Sequence, residues 1–195
     1  MDYVSMFLTA QRAFGERVHA VREDQWHTPT PCSEWDVAAL VAHLIDEDQW
    51  VPPLLHGLDV ESAGKVVEGS RSLPVDGGVG ANLAEVWDEA SIACADAFRA
   101  DGAMERTVAL SRGPTPATSY ITEMIFDHYV HAWDLGKAIG YDEPLPDGIA
   151  ETAYDMVKEM GDLSSFGDMF KPAVSVPDDA PIVDKLLALT GRDPR

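Results

Sequence analysis

Asp127 and His131 stand four residues apart in a stretch whose apolar spacing predicts a helix, so they project from neighbouring turns of one helix face. His43 lies in another predicted helix, beside its apolar seam, in a stripe with Asp36, Leu40, Glu47 and Trp50. Helix bundles build interior metal sites from imidazole and carboxylate groups on facing helices. Three protein ligands with one open position are typical of catalytic zinc, which acidifies a bound water or thiol. His43, Asp127 and His131 are therefore the candidate ligands of one divalent metal ion per chain. Zinc suits these donors best, while nickel, iron and manganese also accept imidazole and carboxylate.

The spacing is weak when taken alone. With 34 acidic residues and six histidines, an acid four positions before a histidine is expected about once by chance, and it occurs twice. The second instance is Glu23 with His27. An exposed pair on a helix face is the commoner use of such spacing. His128 falls on an apolar seam and reads as a hydrogen-bonded core residue. His19 and His56 read as surface or loop residues. Trp35, Trp50 and Trp133 read as packing, although aromatic walls beside a metal also line pockets. Cys32 and Cys94 form no CxxC knuckle and read as small buried residues, reduced in a cytosolic setting. No phosphate-cradling glycine loop and no G-x-S-x-G elbow is present.

Four long helical patterns must position these residues. The first covers residues 2–25, with Tyr3, Phe7, Phe14, Val18 and Val21 on one stripe. The second starts after Thr30-Pro-Cys-Ser, with Ser33 as N-cap, Asp36 at N3 and a seam of Val37, Leu40, Val41, Leu44 and Ile45. Pro52-Pro53 should end or kink it. Residues 57–80, rich in Gly, Ser and Asp, read as an irregular connection. The third helix takes residues 81–99, with Leu83, Val86, Trp87, Ala90, Ala97 and Phe98 inward. A short extended piece at 106–110 and a Gly113-Pro-Thr-Pro116 turn precede the fourth helix, at 117–139. Its seam is Ile121, Met124, Ile125, His128, Ala132, Leu135 and Ile139, and Gly140 is its stop. Two shorter helices, at 148–160 and 180–189, follow. The expectation is an all-α four-helix bundle with long crossover connections and short C-terminal helices, in one domain spanning 1–195.

The whole chain narrows the function classes. Its 195 residues suit a single domain, and 46% hydrophobic content is ordinary for a globular protein. No run approaches the roughly 18 apolar residues of a membrane span, and the start, Met1-Asp2-Tyr3, has no basic, apolar leader, so a cytoplasmic protein is expected. A formal charge of −20 repels phosphate backbones and anionic lipid surfaces, which argues against nucleic-acid and membrane partners.

Two motifs then carry a resemblance across nearly the whole chain. Thr30-Pro-Cys-Ser-Glu-Trp-Asp-Val-Ala-Ala-Leu-Val-Ala-His43-Leu resembles the second-helix signature of the DinB-like superfamily. It is closest to the branch typified by the N-terminal domain of mycothiol-dependent maleylpyruvate isomerase. His131-Ala-Trp-Asp-Leu-Gly-Lys-Ala-Ile-Gly140 is similar to that branch's H-G-W-D-L-A motif. The ending, Pro177-Asp-Asp-Ala-Pro and Lys185-Leu-Leu-Ala-Leu-Thr-Gly-Arg-Asp-Pro194, resembles a single-domain actinobacterial metal-binding subfamily. The resemblance implies a DinB-type bundle with a His/acid/His metal triad, carried by position to His43, Asp127 and His131. The acid is usually Glu; Asp is one methylene shorter, so either the backbones approach more closely or a water completes the bond. The motif's Gly is Ala132. The separate C-terminal domain of the maleylpyruvate isomerases has no counterpart, so that particular reaction is not expected.

The resemblance also implies a low-molecular-weight thiol, mycothiol, as cosubstrate for isomerisation or thiol transfer on a small electrophilic metabolite. A metal held by two neutral imidazoles and one carboxylate keeps a net positive charge and favours a thiolate over a thiol. Asp134, one turn beyond His131, is a candidate to orient an imidazole. Asp46 and Glu47, one turn after His43, are candidate general bases, with solvated helix charges as the plainer reading. A lyase or cyclase step without thiol, and a non-catalytic metal-binding stress-response protein, are the alternatives. Related bundles often dimerise, so a homodimer stands beside a monomer.

Overall fold

The computed structural model describes residues 1–32, 35–70, 83–161, 163 and 170–195. Its elements run α1 (Tyr3–Ala20), α2 (Val37–Leu55), α3 (Val60–Ser70), α4 (Leu83–Arg99), β1 (Thr107–Leu110), β2 (Gly113–Pro116), α5 (Ala117–Ile139), α6 (Ala150–Met160) and α7 (Ile182–Leu189). The chain resolves into two compact units, Met1–Leu145 and Pro146–Arg195. The first is the all-α bundle, in which α1 packs chiefly on α5 and α2 on α4. In the second, α6 and α7 pack together. Among the described residues no helix is long and apolar enough to cross a membrane.

Each bundle helix follows from its stripe. Phe7, Phe14 and Val18 of α1, Val37, Leu40, Val41, Leu44 and Ile45 of α2, and Ile121, Ile125, Ala132 and Leu135 of α5 are all essentially removed from water. Burial of such side chains is worth about 1.5–3 kcal/mol each and drives the assembly. Tyr3 departs from its stripe: in the first turn of α1 it is 44% exposed. On α4 the inward face runs through Cys94 and Ala95, whereas Ala97 is only half-buried.

The ends of the helices differ from expectation where distant contacts intervene. The first helix stops at Ala20 rather than 25, because Val21 and Arg22 turn extended before a single 3-10 turn at Glu23–Gln25. There the Gln25 amide donates to the Ile139 carbonyl at the end of α5, at 2.9 Å. Asp36, not Ser33, caps α2: its carboxylate accepts from the Ala39 N–H at 2.9 Å, one of the bonds that an N-cap supplies. Ser33 lies outside the described residues. The Val37 and Ala38 N–H groups donate to the Thr28 and Trp26 carbonyls, so the preceding loop satisfies the other exposed donors. Pro52 and Pro53 do not stop α2, which runs on to Leu55. They fall in its last turn, where the His56 and Leu58 N–H groups still reach the Pro52 and Pro53 carbonyls.

The connection read as irregular at 57–80 contains α3, which packs on α2 with Ala63 and Val67 buried; residues 71–80 lie outside the described residues. The expected turn at 113–116 is instead β2, paired antiparallel with β1 from Thr107↔Pro116 to Leu110↔Gly113. The fourth expected helix matches α5 at both ends. Gly140 adopts the left-handed conformation, φ 71°, and its N–H returns to the Gly136 carbonyl.

Candidate metal centre

His43 from α2 and Asp127 and His131 from α5 converge in the bundle. His43 Nε2 lies 3.2 Å from Asp127 Oδ2, and His131 Nε2 lies 3.3 Å from Asp127 Oδ1. The two imidazoles stand edge to face with centroids 5.3 Å apart. One donor atom from each of the three residues falls within 4.8 Å of the others. Neighbouring nitrogen and oxygen ligands in a tetrahedral zinc site are about 3.3–3.6 Å apart, given metal–ligand bonds of about 2.0–2.2 Å, so the donor set fits a divalent ion. The short Asp127 side chain reaches both imidazoles, one with each carboxylate oxygen.

His131 is gripped from its other side. Its Nδ1 is 2.9 Å from Asp134 Oδ2, and Asp134 is fully buried. Ordinary chemistry makes Nδ1–H the donor to that carboxylate, which leaves Nε2 facing Asp127 and His43. Burial depresses the His131 pKa, but the Asp127 carboxylate foremost, with Asp134 and Cys32, outweighs it and raises the pKa well above the usual value. Burial likewise pushes Asp127 up, yet His131 and then His43 hold it well below the usual carboxylate range.

Trp35 and Cys32, on the loop before α2, border the site. Trp35 lies against His43, with ring centroids 4.5 Å apart, and against His131 at 5.6 Å. Cys32 is half-buried rather than buried, and its thiol donates to Asp134 Oδ2 at 3.3 Å. No local pattern could have found Cys32, whose partners lie 99 and 102 residues away in the chain. Its place in the Thr-Pro-Cys motif was the one available signal.

The candidate bases separate by environment. Asp46 accepts from the Trp50 indole N–H at 3.4 Å. Glu47 is pushed up to about 7, first by its burial and then by the Asp127 carboxylate.

The remaining histidines take other work. His128 is wholly buried: Nδ1 donates to the Met124 carbonyl at 2.8 Å and Nε2 faces Asp48 Oδ1 at 3.2 Å. Its pKa is raised because Asp48 outweighs the depressing effect of burial. Glu23 and His27 are not a helix-face pair, since α1 ends before both; His27 Nδ1 instead meets Asp36 at 3.1 Å on the surface. His19 pairs with Asp88 at 2.9 Å in the open, and exposed His56 donates to the Pro52 carbonyl.

An all-α bundle with two imidazoles and a carboxylate meeting between helices defines the class as DinB-type. Residues 7–136 match the family described as the mycothiol maleylpyruvate isomerase N-terminal domain, and the chain belongs to that family. Two uncharacterized proteins from two strains of Mycobacterium tuberculosis are each 29% identical to it over 197 residues, covering 100% of both chains. The crystal structure of the mycothiol-dependent maleylpyruvate isomerase superimposes with a TM-score of 0.58 at 16% identity, over 80% of this chain and 66% of that one. A histidine-to-alanine mutant of the same isomerase gives a TM-score of 0.58 at 15% identity. At such identity the likeness is one of fold.

Proposed function

We propose that the protein is a divalent-metal-dependent enzyme that uses a low-molecular-weight thiol, mycothiol or a close relative, for isomerisation or thiol transfer on a small electrophilic metabolite. The observation that carries this reading is the meeting of His43 and His131 on the two oxygens of one carboxylate, Asp127, at 3.2 and 3.3 Å. His43 and Asp127 keep about a quarter of their side-chain surface exposed, 24% and 26%, so a small molecule has access to the side where their donors meet. A closed structural site would fill all four positions with protein ligands, whereas these three leave one open. Membership of the isomerase-domain family and the fold shared with a mycothiol-dependent enzyme support the choice of thiol.

In this reading His43, Asp127 and His131 hold the ion. When bound, it supplies positive charge that favours a thiolate over the neutral thiol. Asp134 fixes the His131 ring by accepting from Nδ1. Trp35 walls one side of His43. Glu47, poised near neutrality, is suited to take a proton at working pH.

Metal content measured by mass spectrometry on untagged protein, beside His43→Ala and His131→Ala, tests the centre. After loading with manganese, about one metal per chain in the wild type, lost in both variants, is expected. Wild type that stays empty after incubation with zinc, nickel, iron and manganese would overturn it. A cobalt-substituted protein should then change its visible spectrum on adding thiol; an unchanged spectrum would sink the thiol chemistry.

A further inference from the structure

On the far side of His131 from His43, three donors of a different kind meet. Cys32 Sγ is 3.3 Å from Asp134 Oδ2 and 4.0 Å from His131 Nδ1, and Nδ1 is 2.9 Å from Oδ2. Again one donor atom from each residue lies within 4.8 Å of the others. A tetrahedral zinc site with thiolate, imidazole and carboxylate ligands has donor separations of about 3.3–3.6 Å, so small adjustments seat an ion here. Asp134 and His131 sit on the rigid interior of α5. Cys32 sits on the loop pinned to the start of α2 through the Trp26 and Thr28 carbonyls. We propose that Cys32, His131 through Nδ1 and Asp134 form a second metal seat, selective for thiophilic divalent cations and exclusive of the first.

The exclusion follows from His131 itself. A neutral imidazole has one lone pair, and each ring nitrogen faces its own carboxylate, Asp127 at 3.3 Å and Asp134 at 2.9 Å. An ion at the second seat displaces the Nδ1 proton of the imidazolium to solvent and takes the lone pair it leaves, and the ring keeps its other proton on Nε2, directed at Asp127. The Cys32 thiol loses its proton to solvent as the sulfur binds. His43 and Asp127 are then left without their third partner.

The two seats also differ in charge. Two imidazoles and a carboxylate leave a divalent ion with a net charge of about +1, whereas thiolate and carboxylate neutralise it. Beside the shared His131, the neutral centre has wholly buried Asp134 and half-buried Cys32, against half-buried His43 and Asp127 at the charged one. The charged one falls where water still reaches, as the cost of burying charge requires. The sulfur ligand selects zinc or cadmium over manganese or magnesium. A thiophilic cation in excess would thus silence the first seat without touching His43.

This inference stands on its own donors and does not depend on the catalytic reading. Cadmium alone is the probe, since a cadmium–thiolate bond has a charge-transfer band in the ultraviolet. The expected result is a band saturating at one equivalent in wild type, retained in His43→Ala and lost in Cys32→Ser. In the wild type and in His43→Ala, one equivalent of cadmium should also protect Cys32 from a thiol-specific alkylating reagent, a readout independent of how Cys32→Ser folds. No band from folded wild type, or a band that persists in Cys32→Ser, overturns the proposal. Cadmium bound without a band and lost in His43→Ala would overturn it too, while leaving the first seat standing. Wild type that holds none of the four metals at the first seat but gives the band would do the reverse.

Discussion

Each ring nitrogen of His131 faces a carboxylate, and that arrangement sets its protonation. With Asp127 and Asp134 outweighing burial, the metal-free protein holds His131 as imidazolium well above the ordinary histidine range. A metal must displace a proton from it, so apparent metal affinity should rise with pH through the His131 titration. Calorimetry of zinc binding in two buffers of different ionisation enthalpy should show net proton release at neutral pH. In metal-free protein the linkage has the opposite sense: the stability from His131 is fully present below its unfolded value and is lost as pH rises through the raised folded one. Equal heats in the two buffers would mean that Nε2 is unprotonated before metal arrives.

Helix spacing and register depend on contacts that no single stripe encodes. Gly15 of α1 faces Trp87 of α4 so closely that a Cβ there would lie 2.9 Å from the indole nitrogen. Alanine in a helix interior ordinarily gains about 1 kcal/mol over glycine. Here Gly15→Ala should instead destabilise by about 1–3 kcal/mol, as overpacking does, in a denaturant titration.

A buried polar network crosses the bundle a turn away from the metal centre. Gln11 of α1 donates to Asp48 of α2 at 3.0 Å and to the Ser91 carbonyl of α4 at 3.1 Å, while Asp48 faces His128 of α5. All four bundle helices meet there, adjacent in sequence to Glu47 and Asp127. Asp48→Ala leaves the His128 ring buried without its counter-charge and should cost about 3–5 kcal/mol. An apolar pair, Asp48→Leu with His128→Phe, should cost less than the single change. If both variants are equally stable to denaturant, the network holds no charge.

For the molecule as a whole, the proposed metal binding would be linked to folding. An ion that binds only the folded chain stabilises it by about 2.7 kcal/mol at a hundredfold excess over Kd. For a chain of this length that corresponds to about 5–10 °C in Tm. Thermal melts with manganese, which a sulfur-containing seat disfavours, and with chelator should differ by this amount in wild type and coincide in His43→Ala. The charge of −20 acts on the same scale, through self-repulsion that salt screens.

The chemistry readable from sequence was that confined to one helix. Asp127 and His131 are joined by the 3.6-residue turn, so their shared face follows from spacing, and the apolar seams of α2 and α5 follow in the same way. The addition of His43 rested on its place beside the seam of another helix and then on a motif, because 84 residues separate it from Asp127 and no local spacing joins them. The direct grip of one short carboxylate on two imidazoles, the half-burial of Cys32 and the wall formed by Trp35 were decided by tertiary structure. So were the early end of α1 and the pairing of β1 with β2. In each case the partner is distant in the chain, and local spacing describes only what a residue's own turn or strand can reach.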